Sequence, residues 1–154
     1  MTWIKPSFLW MMYRSGWATK PGQERILAIR ISRTGFDESL RDACLSHYDP
    51  AIYADHNEWL HCKERSPNRV QWDPERSLRL EPLPWRAIQI GLAGLSVDRY
   101  VSHWITHITD VTPVVIRIRS LLDEHDHLAA KEQLPIERPY PLSANAANTI
   151  GATI

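Results

Sequence analysis

The feature that most constrains the fold is a strict alternation of apolar and polar residues in the middle of the chain. Val70 and Trp72 alternate with Arg69, Gln71 and Asp73. Three segments share this pattern: 69–73, 78–81 and 88–92. A period of two is that of a strand with one face buried, so the pattern predicts three strands of an antiparallel sheet. Between the first two, Asp73-Pro74-Glu75 predicts a hairpin turn.

The segments before the alternation predict helices and one more strand. Pro6 and Gly16 bracket a short apolar helix over 8–15. Residues 26–31 are apolar on nearly both faces, which predicts a central strand. Helical spacing of Phe36, Leu40 and Cys44 predicts a helix over 37–46, with Cys44 in the core. A further helix is predicted over 57–65.

The last third of the chain reads as helical. One stripe of apolar residues at helical spacing predicts a helix over 97–108, with Trp104 in the core. Thr112 and Pro113 predict the start of the next helix. We therefore predict an α+β fold: a mainly antiparallel sheet of about four strands with packed helices and a helical C-terminal third. Residues 1–142 are predicted to form a single domain, and residues 143–154 a flexible tail.

Bulk composition excludes several classes of protein. No run of about 20 apolar residues exists, so we expect no membrane span. The formal net charge is zero, so bulk charge favours neither nucleic acid nor a membrane surface. The two cysteines, Cys44 and Cys62, form no CxxC pair, which is typical of reduced thiols in a cytoplasmic protein.

The most metal-like pattern is His103-x3-His107-x2-Asp110, because two histidines four apart share one face of a helix. The apolar stripe of the predicted helix leaves both histidines on the solvated side, and the glutamate of the HExxH motif is missing. We interpret the pattern as an exposed polar face and predict no metal site. The pair His125 and His127 is interpreted in the same way.

Polar residues on the predicted strands are the stronger candidates for a site. Arg69, Gln71 and Asp73 are expected to face one way, as are Arg79 and Glu81 on the neighbouring strand. Arg86 and Gln89 lie at the start of the third strand. Such a surface suits an anionic ligand rich in hydrogen-bonding groups, such as a nucleotide. An ordinary solvated sheet face with cross-strand ion pairs explains the same spacing equally well. Basic residues among tryptophans near the N-terminus can also stack bases and hold phosphates, or can belong to the core.

Several longer motifs resemble an uncharacterised family, the domain-of-unknown-function family 4291. They are Thr2-Trp3-Ile4-Lys5-Pro6-Ser7-Phe8-Leu9-Trp10-Met11-Met12-Tyr13-Arg14-Ser15-Gly16-Trp17-Ala18, Val70-Gln71-Trp72-Asp73-Pro74-Glu75-Arg76, Arg86-Ala87-Ile88-Gln89-Ile90-Gly91-Leu92, Ile108-Thr109-Asp110-Val111-Thr112 and Glu137-Arg138-Pro139-Tyr140-Pro141-Leu142. The resemblance covers about residues 2–142 and implies a bacterial-type cytosolic protein, but no activity.

The resemblance also implies a strand before the first motif, which this chain lacks. We therefore expect an unpaired sheet edge that favours self-association. The polar motif residues coincide with the strand-face set and extend it to Lys5, Ser7, Arg14, Glu75 and Arg76.

The working hypothesis is binding, or processing, of a phosphate-bearing ligand such as a nucleotide or a nucleic-acid end. Ligand binding is assigned to Lys5, Arg14, Gln71, Arg76, Arg86 and Gln89. Asp73 or Glu75 is the candidate general base. One enzymatic version is metal-independent transfer from NAD in the manner of ADP-ribosyltransferases; no cofactor is assigned. The alternative is a non-catalytic interaction domain whose polar strand residues are structural ion pairs.

Overall fold

The computed structural model of the chain describes residues 1–152. In this part of the chain the elements follow the order β1 (Thr2–Ile4), α1 (Phe8–Ser15), β2 (Leu27–Ile31), α2 (Arg33–Arg41), β3 (Ala43–Leu45), α3 (His56–Arg65), β4 (Asn68–Arg76), β5 (Pro82–Leu92), α4 (Leu95–Arg99), a π-helical segment (Tyr100–Trp104), β6 (Ile105–Asp110), α5 (Thr112–Asp123), α6 (His127–Glu132) and α7 (Ala144–Ile150).

Four strands form the main sheet in the order β1-β5-β4-β3, with β3 and β4 parallel and the other neighbours antiparallel. In the central pair, Val70 lies opposite Ile90 and Trp72 opposite Ile88. These apolar side chains form one face of a first hydrophobic core, against residues of α2, α3, the π-helical segment and α7. The structure thus confirms the predicted α+β fold with a mainly antiparallel sheet of four strands.

The hairpin turn lies later than the sequence predicts. Pro74 lies within β4, where the register with β5 shifts between Pro74 and Arg76. Proline is accepted in a strand at such an irregularity because no ladder hydrogen bond needs its missing N–H. The turn is at Ser77–Glu81, closed by the Ser77 N–H, which donates to the Glu81 carbonyl at 2.9 Å. The prediction of a strand over 78–81 is therefore wrong.

The predicted central strand at 26–31 is also wrong in its position. β2 pairs only with β6, in a separate two-stranded sheet, and Leu27 and Ile29 are exposed. The helix predicted over 97–108 ends at Trp104, and β6 follows it. β6 reads Ile-Thr-His-Ile-Thr-Asp, and β-branched residues of this kind favour a strand once a partner is present.

The cysteine expected on helix 37–46 is buried, as predicted, but on a different element. The helix ends at Arg41, and Cys44 lies at the centre of β3. Its thiol lies 3.4 Å from the Tyr53 hydroxyl, and both groups belong to the first core. Burial raises the pKa of the Cys44 thiol.

The N-terminal helix is delimited by its caps. The Ser7 hydroxyl accepts a hydrogen bond from the Trp10 N–H at 3.1 Å, so Ser7 is the N-cap and Pro6 lies outside the helix. Gly16 follows the last turn at a φ of 59°, a conformation that favours glycine. α1 packs with α5 and α6 in a second hydrophobic core, which includes Met12, Val115 and Ile118.

The C-terminal residues expected as a flexible tail form α7 over Ala144–Ile150. Ala147 and Ile150 are buried, and the Trp72 indole N–H donates to the Ile150 carbonyl at 2.6 Å. Helix α7 thus lies against the first core. The last two residues of the expected tail, 153 and 154, lie outside the described residues. No helix within residues 1–152 is both long and apolar enough to cross a membrane.

Tyr140 ties the extended segment after α6 to α2. Its hydroxyl donates to Asp37 Oδ1 at 2.8 Å, and its ring lies edge-on to Phe36. Desolvation, the hydrogen bond to Asp37 and the charge of Asp37 together raise the pKa of Tyr140 to about 12.

The raised pKa of Tyr140 predicts that the protein loses stability at alkaline pH. A free tyrosine ionises near pH 10, so the unfolded chain loses this proton first as the pH rises. The stabilisation from neutral Tyr140 is complete below about pH 10 and decreases towards pH 12. We expect Tyr140→Phe to cost about 1 kcal/mol at neutral pH and to show a smaller fall in urea stability above about pH 10. Tyr13→Phe is the control; an equal alkaline slope in Tyr140→Phe and the wild type would contradict the assignment.

Candidate functional site

Two glutamines lie side by side on the outer face of the main sheet. The register of β4 and β5 places Gln71 directly opposite Gln89. Alternation along both strands turns them away from the first core, on the side shared by Arg69, Asp73 and Ala87. Both glutamines are half-buried. Their amides therefore form one polar surface on the sheet, as the sequence predicts.

Lys5 and Asp73 form a largely buried ion pair at one end of this surface. Lys5 Nζ donates to Asp73 Oδ2 at 2.8 Å, and the two side chains are 2% and 18% exposed. The other oxygen, Asp73 Oδ1, accepts from Gln71 Nε2 at 2.9 Å. Lys5 Nζ also lies 3.7 Å from the centre of the Trp10 ring. Desolvation lowers the pKa of Lys5, and the hydrogen bond to Asp73 and the charge of Asp73 oppose this.

Two glutamates meet at the start of α1. The Ser7 hydroxyl donates to Glu75 Oε1 at 2.6 Å, and the Phe8 N–H donates to Glu137 Oε1 at 2.7 Å. Desolvation raises the pKa of Glu137, the hydrogen bond from Phe8 lowers it, and the nearby Glu75 carboxylate raises it further. Sequence reasoning did not single out Glu137, because an acidic residue between prolines carries no periodic signal.

Arg76 is held against α1 rather than turned to solvent. Its guanidinium carbon lies 3.7 Å from the centre of the Tyr13 ring, and Nη1 lies 3.4 Å from the Leu80 carbonyl. Its Nε atom is buried without a hydrogen-bond partner among the described residues. Arg76 therefore contributes to packing between the hairpin and α1.

The remaining two predicted residues lie apart from this group. Arg86 is exposed on the opposite face of the sheet, with its guanidinium carbon 5.9 Å from the Trp72 ring centre. Arg14 is exposed near the end of α1. The structure thus brings together Lys5, Gln71, Asp73, Glu75, Arg76 and Gln89, and leaves Arg14 and Arg86 outside.

Two exposed tryptophans lie on β1 and β5. A Cβ placed on Gly91 would lie 3.0 Å from Trp3 Cη2, so the Trp3 ring crosses the outer face at Gly91. Trp3 is 46% exposed and Trp85 is 60% exposed. Trp85 lies four residues before Gln89 in β5, where the register with β4 is irregular. We name the surface formed by Trp3, Gln71, Trp85 and Gln89 the tryptophan–glutamine face.

The histidine pattern does not form a shared helix face. His103 lies in the π-helical segment and His107 lies in β6, opposite Arg30. The third member, Asp110, pairs with Arg25 at 3.5 Å. Among residues 1–152, no group of three or more His, Cys, Asp and Glu side chains is arranged to hold a metal ion.

Two cavities lie away from the tryptophan–glutamine face. One, of about 420 Å³, lies beside α2 and is lined in part by Ser32, Arg99 and His103. The other, of about 390 Å³, lies between the β4–β5 turn and the end of α5. Neither is lined by a residue of the predicted site.

Comparison with known proteins identifies a family without an assigned activity. The family model described as Domain of unknown function (DUF4291) matches residues 1–140. No curated protein and no solved structure shows a significant match to the chain. Since the matched region covers most of the 154 residues, the chain belongs to the DUF4291 family.

Proposed function

We propose that this protein binds a nucleotide or the end of a nucleic acid through its base, at the tryptophan–glutamine face. The observation that carries the proposal is the register pair Gln71–Gln89 on the outer face of the sheet, with the exposed Trp3 ring beside it at Gly91 and the exposed Trp85 in the same strand as Gln89. Amide side chains offer both donors and acceptors, which match the edge of a base. Exposed aromatic rings supply a surface on which a base stacks.

The basic side chains around the tryptophan–glutamine face are mostly engaged by other protein groups, which limits their contribution to phosphate binding. Lys5 is paired with Asp73, and Arg76 lies on Tyr13. Arg69 donates to the backbone carbonyls of Ser66 and Asn68. The exposed Arg14 remains a proposed phosphate contact. We therefore expect the base to contribute more to affinity than the phosphate, and binding to depend only weakly on salt.

The proposal also includes a catalytic role for one of the two carboxylates near this face. Transfer from NAD in the manner of ADP-ribosyltransferases would use Asp73 or Glu75 as the general base. Glu75 accepts a hydrogen bond from the Ser7 hydroxyl, and Asp73 accepts hydrogen bonds from Lys5 and Gln71. Each carboxylate is thus oriented by a hydrogen-bond donor of the protein. This favours one defined position of the carboxylate relative to a bound ligand.

Calorimetric titration of the full chain tests the proposal. The ligands are adenosine, AMP, NAD, a short single-stranded oligonucleotide, and ribose 5-phosphate as the ligand without a base. We expect at least one base-bearing ligand to bind and ribose 5-phosphate not to bind. The double variant Gln71→Ala with Gln89→Ala should weaken that binding roughly tenfold or more, because two hydrogen-bonding groups are lost. Gln133→Ala, an exposed glutamine beyond α6, is the matched control.

Two results would contradict base recognition. One is binding of ribose 5-phosphate as strong as that of AMP, which would assign recognition to phosphate. The other is unchanged affinity in the double variant, which would place the ligand elsewhere.

A second candidate is the non-catalytic interaction domain, and one observation favours it. The Lys5–Asp73 pair is largely buried, so the two charged side chains are engaged with each other rather than free for a ligand. Self-association belongs to this candidate, because Leu27, Ile29 and Ile108 are exposed on the β2–β6 ribbon, with Ile29 directly opposite Ile108. If this candidate is correct, none of the ligands in the titration binds.

A further inference from the structure

A cavity of about 390 Å³ lies where four chain segments meet. Trp17 comes from the turn after α1, Arg79 and Leu80 come from the β4–β5 turn, and Leu122 comes from α5. His125 lies in the link between α5 and α6, and His127 is the first residue of α6. Its volume is within the range of ligand pockets, roughly 300–1,000 Å³. Construction from distant segments is typical of a binding site rather than of a gap inside one element.

Unfavourable backbone conformations concentrate at this cavity. Four residues other than glycine have positive φ in the described part of the chain: Trp17, Ala18, Leu80 and His125, at 56°, 61°, 64° and 62°. Three of them line the cavity, and Ala18 adjoins the first. Such conformations persist where the surrounding structure holds them, and they cluster at functional sites.

Packing explains only part of this strain. Trp17 is buried in the second core, and Leu80 packs against that core, so their side chains gain from their positions. His125 is exposed, and its backbone lies in a region where glycine would be favoured. The N–H groups of His125 and Asp126 donate to the carbonyls of Leu122 and Leu121 at 3.1 and 2.8 Å, so the positive φ of His125 closes the end of α5, and its exposed side chain borders the cavity.

His127 supplies a second, independent observation. Its Nδ1 atom is buried and has no hydrogen-bond partner among the described residues. A buried polar atom without a partner is unfavourable, and native proteins contain few of them. The residue lines the cavity, so a ligand that enters the cavity can supply the missing partner once the His127 ring turns its buried Nδ1 atom towards it.

From this geometry we propose that the cavity binds a small organic monocarboxylate with an apolar body. Trp17, Leu80 and Leu122 form an apolar wall that suits a ring or a branched chain. Arg79 is the permanent cation of the lining, and its guanidinium matches a carboxylate in both charge and shape. One cation matches one negative charge, which favours a carboxylate over a doubly charged phosphate. This site is separate from the tryptophan–glutamine face and does not depend on the function proposed there.

Ligand-observed NMR and calorimetry on the full chain test the proposal with defined probes. The probes are 3-phenylpropanoate and indole-3-acetate, each compared with its neutral amide. We expect saturable binding of at least one acid at millimolar concentration and binding of the amides roughly tenfold weaker or more, because the charged hydrogen bond is lost. Arg79→Gln should reduce the affinity for the acid to that for the amide. Arg138→Gln, an exposed arginine outside the cavity, should leave it unchanged.

His127→Phe separates recognition from packing, because it keeps a flat ring and removes the unpartnered nitrogen. We expect the melting temperature of this variant to be equal to or above that of the wild type, and its affinity for the acid to be lower. Absence of saturable binding of both acids would overturn the proposal. So would equal binding of acid and amide, or full affinity in Arg79→Gln.

Discussion

Replacing Trp104 by alanine is expected to unfold the protein or bring it close to unfolding. Trp104 is 5% exposed in the first core, at the end of the π-helical segment. Truncation of a buried tryptophan costs about 3–5 kcal/mol, and a domain of this kind has a total stability of about 5–15 kcal/mol. Thermal unfolding followed by circular dichroism measures the effect. Trp85→Ala, at a residue that is 60% exposed, is the matched control and should change stability little.

An independent variant tests the same contact from the opposite side. Gly35 lies in α2, and a Cβ added there would lie 2.3 Å from Trp104 Cγ and 2.8 Å from Trp104 Cβ. Gly35→Ala would normally favour a helix, but here we expect it to destabilise the protein because the indole would have to move. A gain in stability from Gly35→Ala, or a soluble Trp104→Ala variant as stable as the wild type, would show that the indole does not pack on α2.

The second large effect is expected at Lys5. Removing one partner of a buried ion pair leaves the other charge uncompensated and costs about 3–5 kcal/mol. We expect Lys5→Met to lower the free energy of unfolding by about that amount in urea denaturation, since Asp73 would keep only the Gln71 hydrogen bond. The double variant Lys5→Met with Asp73→Leu should recover much of the loss, because an apolar pair can replace a buried ion pair.

The chain contains a natural control for this prediction. Arg25 and Asp110 form a surface pair at 3.5 Å, with side chains 83% and 43% exposed. Arg25→Met should cost less than about 1 kcal/mol. Equal losses from Lys5→Met and Arg25→Met would show that Lys5 is solvated and free for a ligand. A large loss at Lys5 alone would assign the residue to stability and favour ligand contact by the glutamines.

The parts of the fold that were predicted correctly are those where one local pattern has one structural explanation. Val70 and Trp72 alternate with polar residues because one face of β4 is buried and the other is not. Gly16 ends α1 by its backbone conformation, as predicted, whereas the start of α1 is set by the Ser7 cap rather than by Pro6. No distant contact is needed to interpret either signal.

The incorrect predictions occur where contacts with residues distant in sequence determine the secondary structure. Apolar residues at 26–31 are compatible with a buried central strand and with a paired ribbon, and pairing with β6 selects the ribbon. The stripe over 97–108 fits helical spacing as far as Trp104, but the pairing of Ile108 with Ile29 makes the rest a strand. Leu78 and Leu80 pack against the second core, and their segment forms a turn rather than a strand.

The same limit applies to the candidate site. Residue types along β4 and β5 indicated the polar surface, and alternation indicated that Gln71 and Asp73 share a face. No local signal joins Lys5 to Asp73, which are 68 positions apart, or brings Glu137 to the start of α1. The cavity near His127 depends on four separate segments, so sequence reasoning interpreted His125 and His127 as exposed residues and placed Arg79 and Leu80 in a strand.

The pairing of β1 with β5 has a consequence for how the protein folds. β1 is synthesised long before its partner residues, which are Ile90, Gly91 and Leu92. Contacts between residues so distant in sequence raise the contact order, and a high contact order slows folding. During synthesis β1 stays unpaired until β5 has left the ribosome, at roughly 5–20 residues per second. Throughout that interval the side chains of Trp3 and Ile4 are exposed and can be bound by chaperones. The nascent chain is therefore most prone to aggregation before its main sheet has formed.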